Sequence, residues 1–162
     1  MGNISKVTYC QNIALVTLRN VPYESGIIGD ILTAISSNGI NVDMISQTAP
    51  LGETLSITFT ISIDAMGSLI PLINSFKPKY QDLNMELAAG MTKINFFDRN
   101  MVSTPGVAAQ VFSMLSGSNI PVIMITTSTV DISILISEHE EDAALSLCRQ
   151  VYGVEPQELP FS

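Results

Sequence analysis

The stretch Glu24–Gln47, ESGIIGDILTAISSNGINVDMISQ, returns without a gap as TPGVAAQVFSMLSGSNIPVIMITT over Thr104–Thr127. At one constant offset of 80 residues, Gly26 falls on Gly106, Ile31 on Val111, Ile35 on Leu115, Ile40 on Ile120, Val42 on Val122 and Met44 on Met124. Self-similarity at a fixed period is the mark of a repeated structural unit. The 162 residues are therefore two copies of one unit, each roughly 75–80 residues and so near the size where a single core is only marginally stabilising. Hydrophobic residues make up 46% of the chain and charged residues 14%. That balance favours buried interfaces over an isolated monomer.

Charge excludes several functions. Lys and Arg number 7 against 15 Asp and Glu, a net charge of −8, and the basic residues are scattered. With no basic stripe, neither nucleic acid nor an anionic membrane is expected as a partner; the acidity itself is accounted for by solubility. Cys10 and Cys148 lie far apart and form no CxxC pattern, which fits a reduced, cytoplasmic protein. The single histidine, His139, sits in the run Glu138–Asp142. Acids there are expected to open an exposed helix, where they oppose the positive end of its dipole, so neither a metal site nor a cofactor is implied. The opening residues lack the basic-then-apolar order of a signal peptide, and no run of 18 apolar residues exists to cross a membrane. A myristoylation signal fails at Lys6.

Periodicity places the elements. Lys6–Tyr9 and Ile13–Leu18 are β-prone, and Asn20-Val21-Pro22 ends the second. After the turn at Tyr23–Gly26, Ile27, Ile28, Ile31, Leu32 and Ile35 recur at helical spacing, and Asn38-Gly39 stops that helix. Gly29 inside it costs about 1 kcal/mol relative to alanine, for which close packing on a sheet would be one reason. Ile40–Thr48 and Leu55–Ile63 are expected strands. Ala65–Phe76 is an expected helix with Leu69, Leu72, Ile73 and Phe76 inward, although Pro71 requires that it begin nearby or bend. Leu83–Ala88 closes the first copy. In the second, Lys93–Phe97 is a strand, Val107–Leu115 a helix with Val107, Ala108, Val111, Phe112 and Leu115 inward, and Ile120–Thr127 with Val130–Ser137 a hairpin. Asp142–Val151 is a helix with Ala144, Leu147, Cys148 and Val151 inward. Pro156 and Pro160 make the tail a poor strand.

Each unit thus reads β-α-β-β-α-β, a ferredoxin-like pattern with an antiparallel sheet and helices on one face: fold class α+β. The second copy lacks its last strand, and the first has a spare one before it. The N-terminal strand is therefore expected to complete the second unit. The expected domains are 10–88, then 89–155 together with strand 4–9, with 156–162 as a tail. A frayed Lys6–Tyr9 with a short strand near Leu159 is the alternative.

Both copies set a glycine turn at the entry to the first helix, where unpaired N–H groups attract a carboxylate or phosphate. Taken alone, the two glycines are better read as turns. The segments VPYESGI (Val21–Ile27) and GINVDMISQ (Gly39–Gln47), however, resemble the first ACT domain of aspartokinases. STPGVAA (Ser103–Ala109) and IMITTS (Ile123–Ser128) resemble the second, so the similarity covers nearly the whole chain, from Lys6 to Tyr152. The resemblance implies tandem ACT domains that bind a feedback amino acid, lysine or threonine, at interfaces between ACT units. It implies no cofactor, a homodimer through the ACT domains, and a separate aspartokinase catalytic chain as a possible partner. It also implies the ligand-binding positions: Glu24, Gly26, Ile27, Ile28, Asn41, Val42, Asp43 and Gln47 of the first copy, and Ile120 of the second. Backbone N–H groups after Gly26 would hold a carboxylate; Glu24 or Asp43, with the Asn41 and Gln47 side chains, would meet the ammonium and a polar tail. Asn41 is equally explained as satisfying the turn after Gly39.

The second copy departs from the family pattern. Pro121 replaces an asparagine, Asp98 and Asn100 replace glycines, and Thr129 stands where a glutamate is common. The expected role of that copy is wall and dimer surface. No P-loop, GxGxxG or serine–histidine–acid set is present, so an enzyme is not expected. The expected function is an amino-acid-binding regulatory module. The alternatives are a structural dimerisation module with a decayed ligand site, or a fragment of a full-length aspartate kinase.

Overall fold

The computed structural model describes residues 4–161. The chain divides into two compact units, Ile13–Ala89 and residues 4–12 together with Gly90–Phe161. Strand β1 runs from Lys6 to Pro22 and β4 from Asn84 to Phe97, so each contributes to both units. Where the sequence suggests two short strands, each is one long strand. Asn12 (φ 58°) and Gly90 (φ 74°) lie at the divisions; both residue types accept left-handed backbone, so the chain turns locally without ending the strand.

The unit Ile13–Ala89 contains helix α1 (Ile27–Ser37), β2 (Ile45–Gln47), β3 (Thr54–Ser62) and α2 (Met66–Asn74). Its strands lie in the order β2-β3-β1-β4. β3 pairs antiparallel with β1 through Ile13↔Ser62 to Pro22↔Thr54, and with β2 through Ile45↔Phe59 to Gln47↔Ile57. Alternate residues of the central strands, Val16, Leu18, Ile57, Phe59 and Ile61, are buried with Ile27, Ile31 and Ile35 of α1 and Leu69 and Ile73 of α2. That is the union of a two-residue strand period and a helical stripe. Pro71 falls in the interior of α2 and not beside its start, contrary to the expectation that the helix begins near the proline; the helix is entered through a 3-10 turn at Ile63–Ala65, where the Ser62 hydroxyl accepts from the Asp64 N–H at 3.4 Å.

Of the expected strand Ile40–Thr48, only Ile45–Gln47 forms a ladder. The preceding residues are pinned by one buried residue instead, through both its backbone and its side chain. Thr60 accepts from Asp43 N–H (3.1 Å) and donates to the Met44 carbonyl (3.0 Å), and its Oγ1 accepts from Met44 N–H at 2.9 Å. Thr60 is fully buried. Thr60→Val keeps the shape but leaves the Met44 N–H without a partner, and is expected to destabilise the unit by about 1–3 kcal/mol; urea denaturation measures it, with Thr60→Ser as the retaining control.

The other unit contains the first part of β1, the second part of β4, α3 (Val107–Ser116), β5 (Met124–Thr127), β6 (Asp131–Ser137), α4 (Glu141–Tyr152) and β7 (Gln157–Glu158). Its order is β1-β4-β6-β5, and β7 pairs parallel with β1 at Thr8 and Tyr9. The tail therefore does form a strand: it is two residues long, beginning just after Pro156 so that no proline N–H is needed in the ladder. The Ser5 N–H bonds the Phe97 carbonyl at 3.0 Å, fixing β1 beside β4. Ile4, Val7, Ile94, Phe96, Ile132, Ile134 and Ile136 are buried with Val107, Val111 and Leu115 of α3 and Ala144, Leu145 and Cys148 of α4. Two expected inward residues face out: Phe112 is 38% and Val151 49% exposed. The buried stripe of α3 is the single row 107/111/115, and in α4 Leu145 takes the inward place beside Ala144 and Cys148. Among the described residues, no helix is long and apolar enough to cross a membrane.

Burial pushes the Cys148 thiol up to about 12. The unfolded thiol ionises from about pH 8.5, so above that pH the unfolded chain binds fewer protons and stability falls as pH rises, by at most about 1.4 kcal/mol per unit from this group. In the folded protein at pH 8, Cys148 is expected to react with a thiol reagent at the rate of unfolding; labelling as fast as a free thiol would contradict its burial.

Candidate functional site

The site grows from the end of β1. After Pro22, the Tyr23 N–H donates to the Glu53 carbonyl at 2.8 Å, which ties the turn to the start of β3. The chain then enters α1 through Gly26 at φ 95°, a left-handed conformation that glycine adopts without strain. No side chain caps the helix. The first bond of the helix is Asp30 N–H to the Gly26 carbonyl, 2.8 Å, so the N–H groups of Ile27, Ile28 and Gly29 have no partner within α1.

Beside this helix start lies a cavity of about 350 Å³. The turn and α1 contribute Pro22, Tyr23, Glu24, Ser25, Gly26, Ile28 and Gly29; Gln47 of β2 and Leu55 of β3 close the other side. The lining holds one carboxylate, Glu24, one carboxamide, Gln47, and no basic side chain. Lys79 is held above its ordinary pKa, first by the Tyr80 hydroxyl and to a lesser extent by the Asp30 and Glu24 carboxylates.

Of the positions named from sequence, Glu24, Gly26, Ile28 and Gln47 meet at this cavity. The Ile27 side chain is in the core, leaving its backbone at the helix start. Val42 packs on the same core. Asn41 is exposed and Asp43 half-buried, and neither lines the cavity. Ile120 is in the core of the other unit. Gly29, noted from sequence only as a costly helix residue, and Leu55, not singled out there, also line the cavity. Leu55 carries no local signal, since the β1–β3 pairing that sets it opposite Val21 brings it there.

The repeat builds a second cavity, of about 310 Å³, at the matching place in the other unit. Gly106 enters α3 at φ 88°, again without a side-chain cap. Thr104 stands for Glu24, Ala108 for Ile28 and Thr127 for Gln47, and Met101, Val102, Val107, Ser128, Thr129 and Ile132 complete the wall. No ionisable side chain lines it. The Thr104 hydroxyl is turned back to the Asn100 carbonyl at 2.8 Å.

The acidic run opens a helix, through a 3-10 turn at Glu138–Glu140 and then α4. Glu141 is more than a surface acid: Gln11 Nε2 donates to its Oε1, and Thr92 Oγ1 donates to its Oε2 at 2.6 Å. Among the described residues, no group of three or more His, Cys, Asp or Glu is placed to hold a metal.

This α/β fold with antiparallel pairing, four helices and a cavity at a glycine-entered helix start is ACT-like, and residues 94–152 match the family model for the ACT domain. The chain is similar to the regulatory subunit of aspartate kinase from Thermus thermophilus, with a TM-score of 0.84 at 25% identity over 93% of this chain and 99% of that one. It is also similar to aspartate kinase from Synechocystis, with a TM-score of 0.89 at 25% identity over 98% of this chain and 28% of that one. To the aspartokinase of Bacillus sp. (strain MGA3) it is 29% identical over 90% of its length and 36% of the relative's. Together these findings support an ACT-domain regulatory region of the aspartokinase type. The chain spans about a third of the length of the curated relatives it matches.

Proposed function

We propose that this chain is an amino-acid-binding regulatory module: two ACT domains, 10–88 and 89–155 with strand 4–9, whose effector is of the lysine or threonine class. The observation that carries the reading is the first cavity, where an uncapped helix start, Glu24 and Gln47 converge. Unpartnered N–H groups and the positive end of the α1 dipole suit an α-carboxylate. Glu24 suits the α-ammonium, and Gln47 a polar side chain, donating or accepting as required. The bound amino acid favours one packing of ACT domains and shifts a partner only by its differential affinity for the two states. That partner is a second copy of this chain, an aspartokinase catalytic chain, or both, and the role is regulatory rather than catalytic.

The second cavity favours a different role for its own unit. With Thr104 and Thr127 where the first has Glu24 and Gln47, it supplies no charged partner for an ammonium group, which supports a structural, dimerising unit beside a sensing one.

Thermal unfolding of the chain against the twenty amino acids, one at a time, tests the reading. A shift with one or two of them is expected. No shift with any would overturn the sensor and leave the structural module.

A further inference from the structure

We infer that Gly29 is a specificity-determining position of the first cavity: its missing side chain leaves the α1 wall open, so that an amino-acid ligand lies directly against the helix backbone. This rests on the reading of the cavity as an amino-acid site. Glycine is, after proline, the least favourable residue inside a helix, so its presence in α1 needs a reason.

Two ordinary reasons are absent. Backbone conformation is not one, because Gly29 is not among the residues with positive φ. Close packing is not one either, since a Cβ built at Gly29 meets nothing within 4 Å. The repeat gives a control within the same molecule. Ala109 occupies the matching position of α3, so the shared helix geometry accepts a Cβ there. Ala109 does not line the second cavity, whereas Gly29 lines the first together with Glu24 and Gln47. What distinguishes position 29 is therefore the cavity itself. A helical Cβ tilts toward the helix N-terminus, so a side chain at 29 would project over the free N–H groups of the first turn. Those groups are the ones an α-carboxylate would occupy.

Gly67 supplies the matched variant. It also lies inside a helix, α2, a Cβ there likewise meets nothing within 4 Å, and it is away from the cavity. Gly29→Ala, Gly29→Leu and Gly67→Ala are compared with the unsubstituted chain, without amino acid and with L-lysine, L-threonine or each of the other eighteen. Without amino acid, Gly29→Ala and Gly67→Ala are expected to melt no lower than the unsubstituted chain. With the amino acid that stabilises the unsubstituted chain, calorimetric affinity is expected to fall at least about tenfold in Gly29→Ala, further in Gly29→Leu, and not at all in Gly67→Ala. Affinity within about twofold in Gly29→Ala, where the unsubstituted chain does respond, would overturn the assignment of Gly29 alone. A chain that responds to none of the twenty would overturn the amino-acid reading and this inference with it.

Discussion

Phe59→Ala is expected to lower the stability of the unit Ile13–Ala89 by about 3–5 kcal/mol, the range for truncating a fully buried aromatic ring. Phe59 has no exposed surface. It lies on β3 between two strands, with Val16 of β1 and Ile45 of β2 as its Cα partners. The ring is thus surrounded on the central strand of its sheet, where neighbours cannot close over a void without breaking the ladder. A unit of this length has a total stability of roughly 4–12 kcal/mol, so the loss is a large share of the whole. Urea denaturation measures it, as a lower midpoint at unchanged slope. The change reaches the site as well, since Gln47 and Leu55 are carried by the strands that Phe59 holds together. A cost below about 1.5 kcal/mol would show that the core repacks and that the burial is not tight.

An amino acid at about 100 times its dissociation constant is expected to stabilise the chain by roughly 2.7 kcal/mol, hence to raise its melting temperature by several degrees. The geometry divides this effect among side chains. Glu24→Gln removes the one carboxylate of the lining and is expected to weaken binding by about 10–100-fold, the worth of a hydrogen bond to a charged group. Gln47→Ala removes a neutral partner and is expected to cost about 3–10-fold. Asn41→Ala, exposed and outside the cavity, is expected to change affinity little. A large effect of Asn41→Ala with none of Gln47→Ala would overturn the assignment of this cavity and move the site toward the Gly39–Asp43 segment.

That last comparison marks the limit of reading a site from a motif. Glu24, Gly26 and Ile28 are legible through the resemblance of the turn to the family's, and they stay together because they sit within one turn of chain. Gln47 is legible through its resemblance to the family strand. Leu55 is not, because it reaches the cavity only when β3 pairs with β1 and sets it opposite Val21. Asn41 and Gln47 looked equivalent on an alternating strand, but residues before Ile45 leave the ladder to bond Thr60, and the alternation ends there. Gly29 was visible as an oddity; only the empty space at its Cβ removes packing as its explanation.

The repeat, the glycine turns at Gly26 and Gly106, and the helices whose buried rows are 27/31/35 and 107/111/115 are all legible in the order of the residues. These are properties of residues within a few positions of one another, where backbone preference and side-chain period act directly. Long-range packing alone settled that β1 and β4 each run on unbroken from one unit into the other, that Phe112 and Val151 face outward, and which side chains share a cavity. Those outcomes depend on partners scores of residues away. A strand's local pattern says which face it buries; the partner strand decides what that face is buried against.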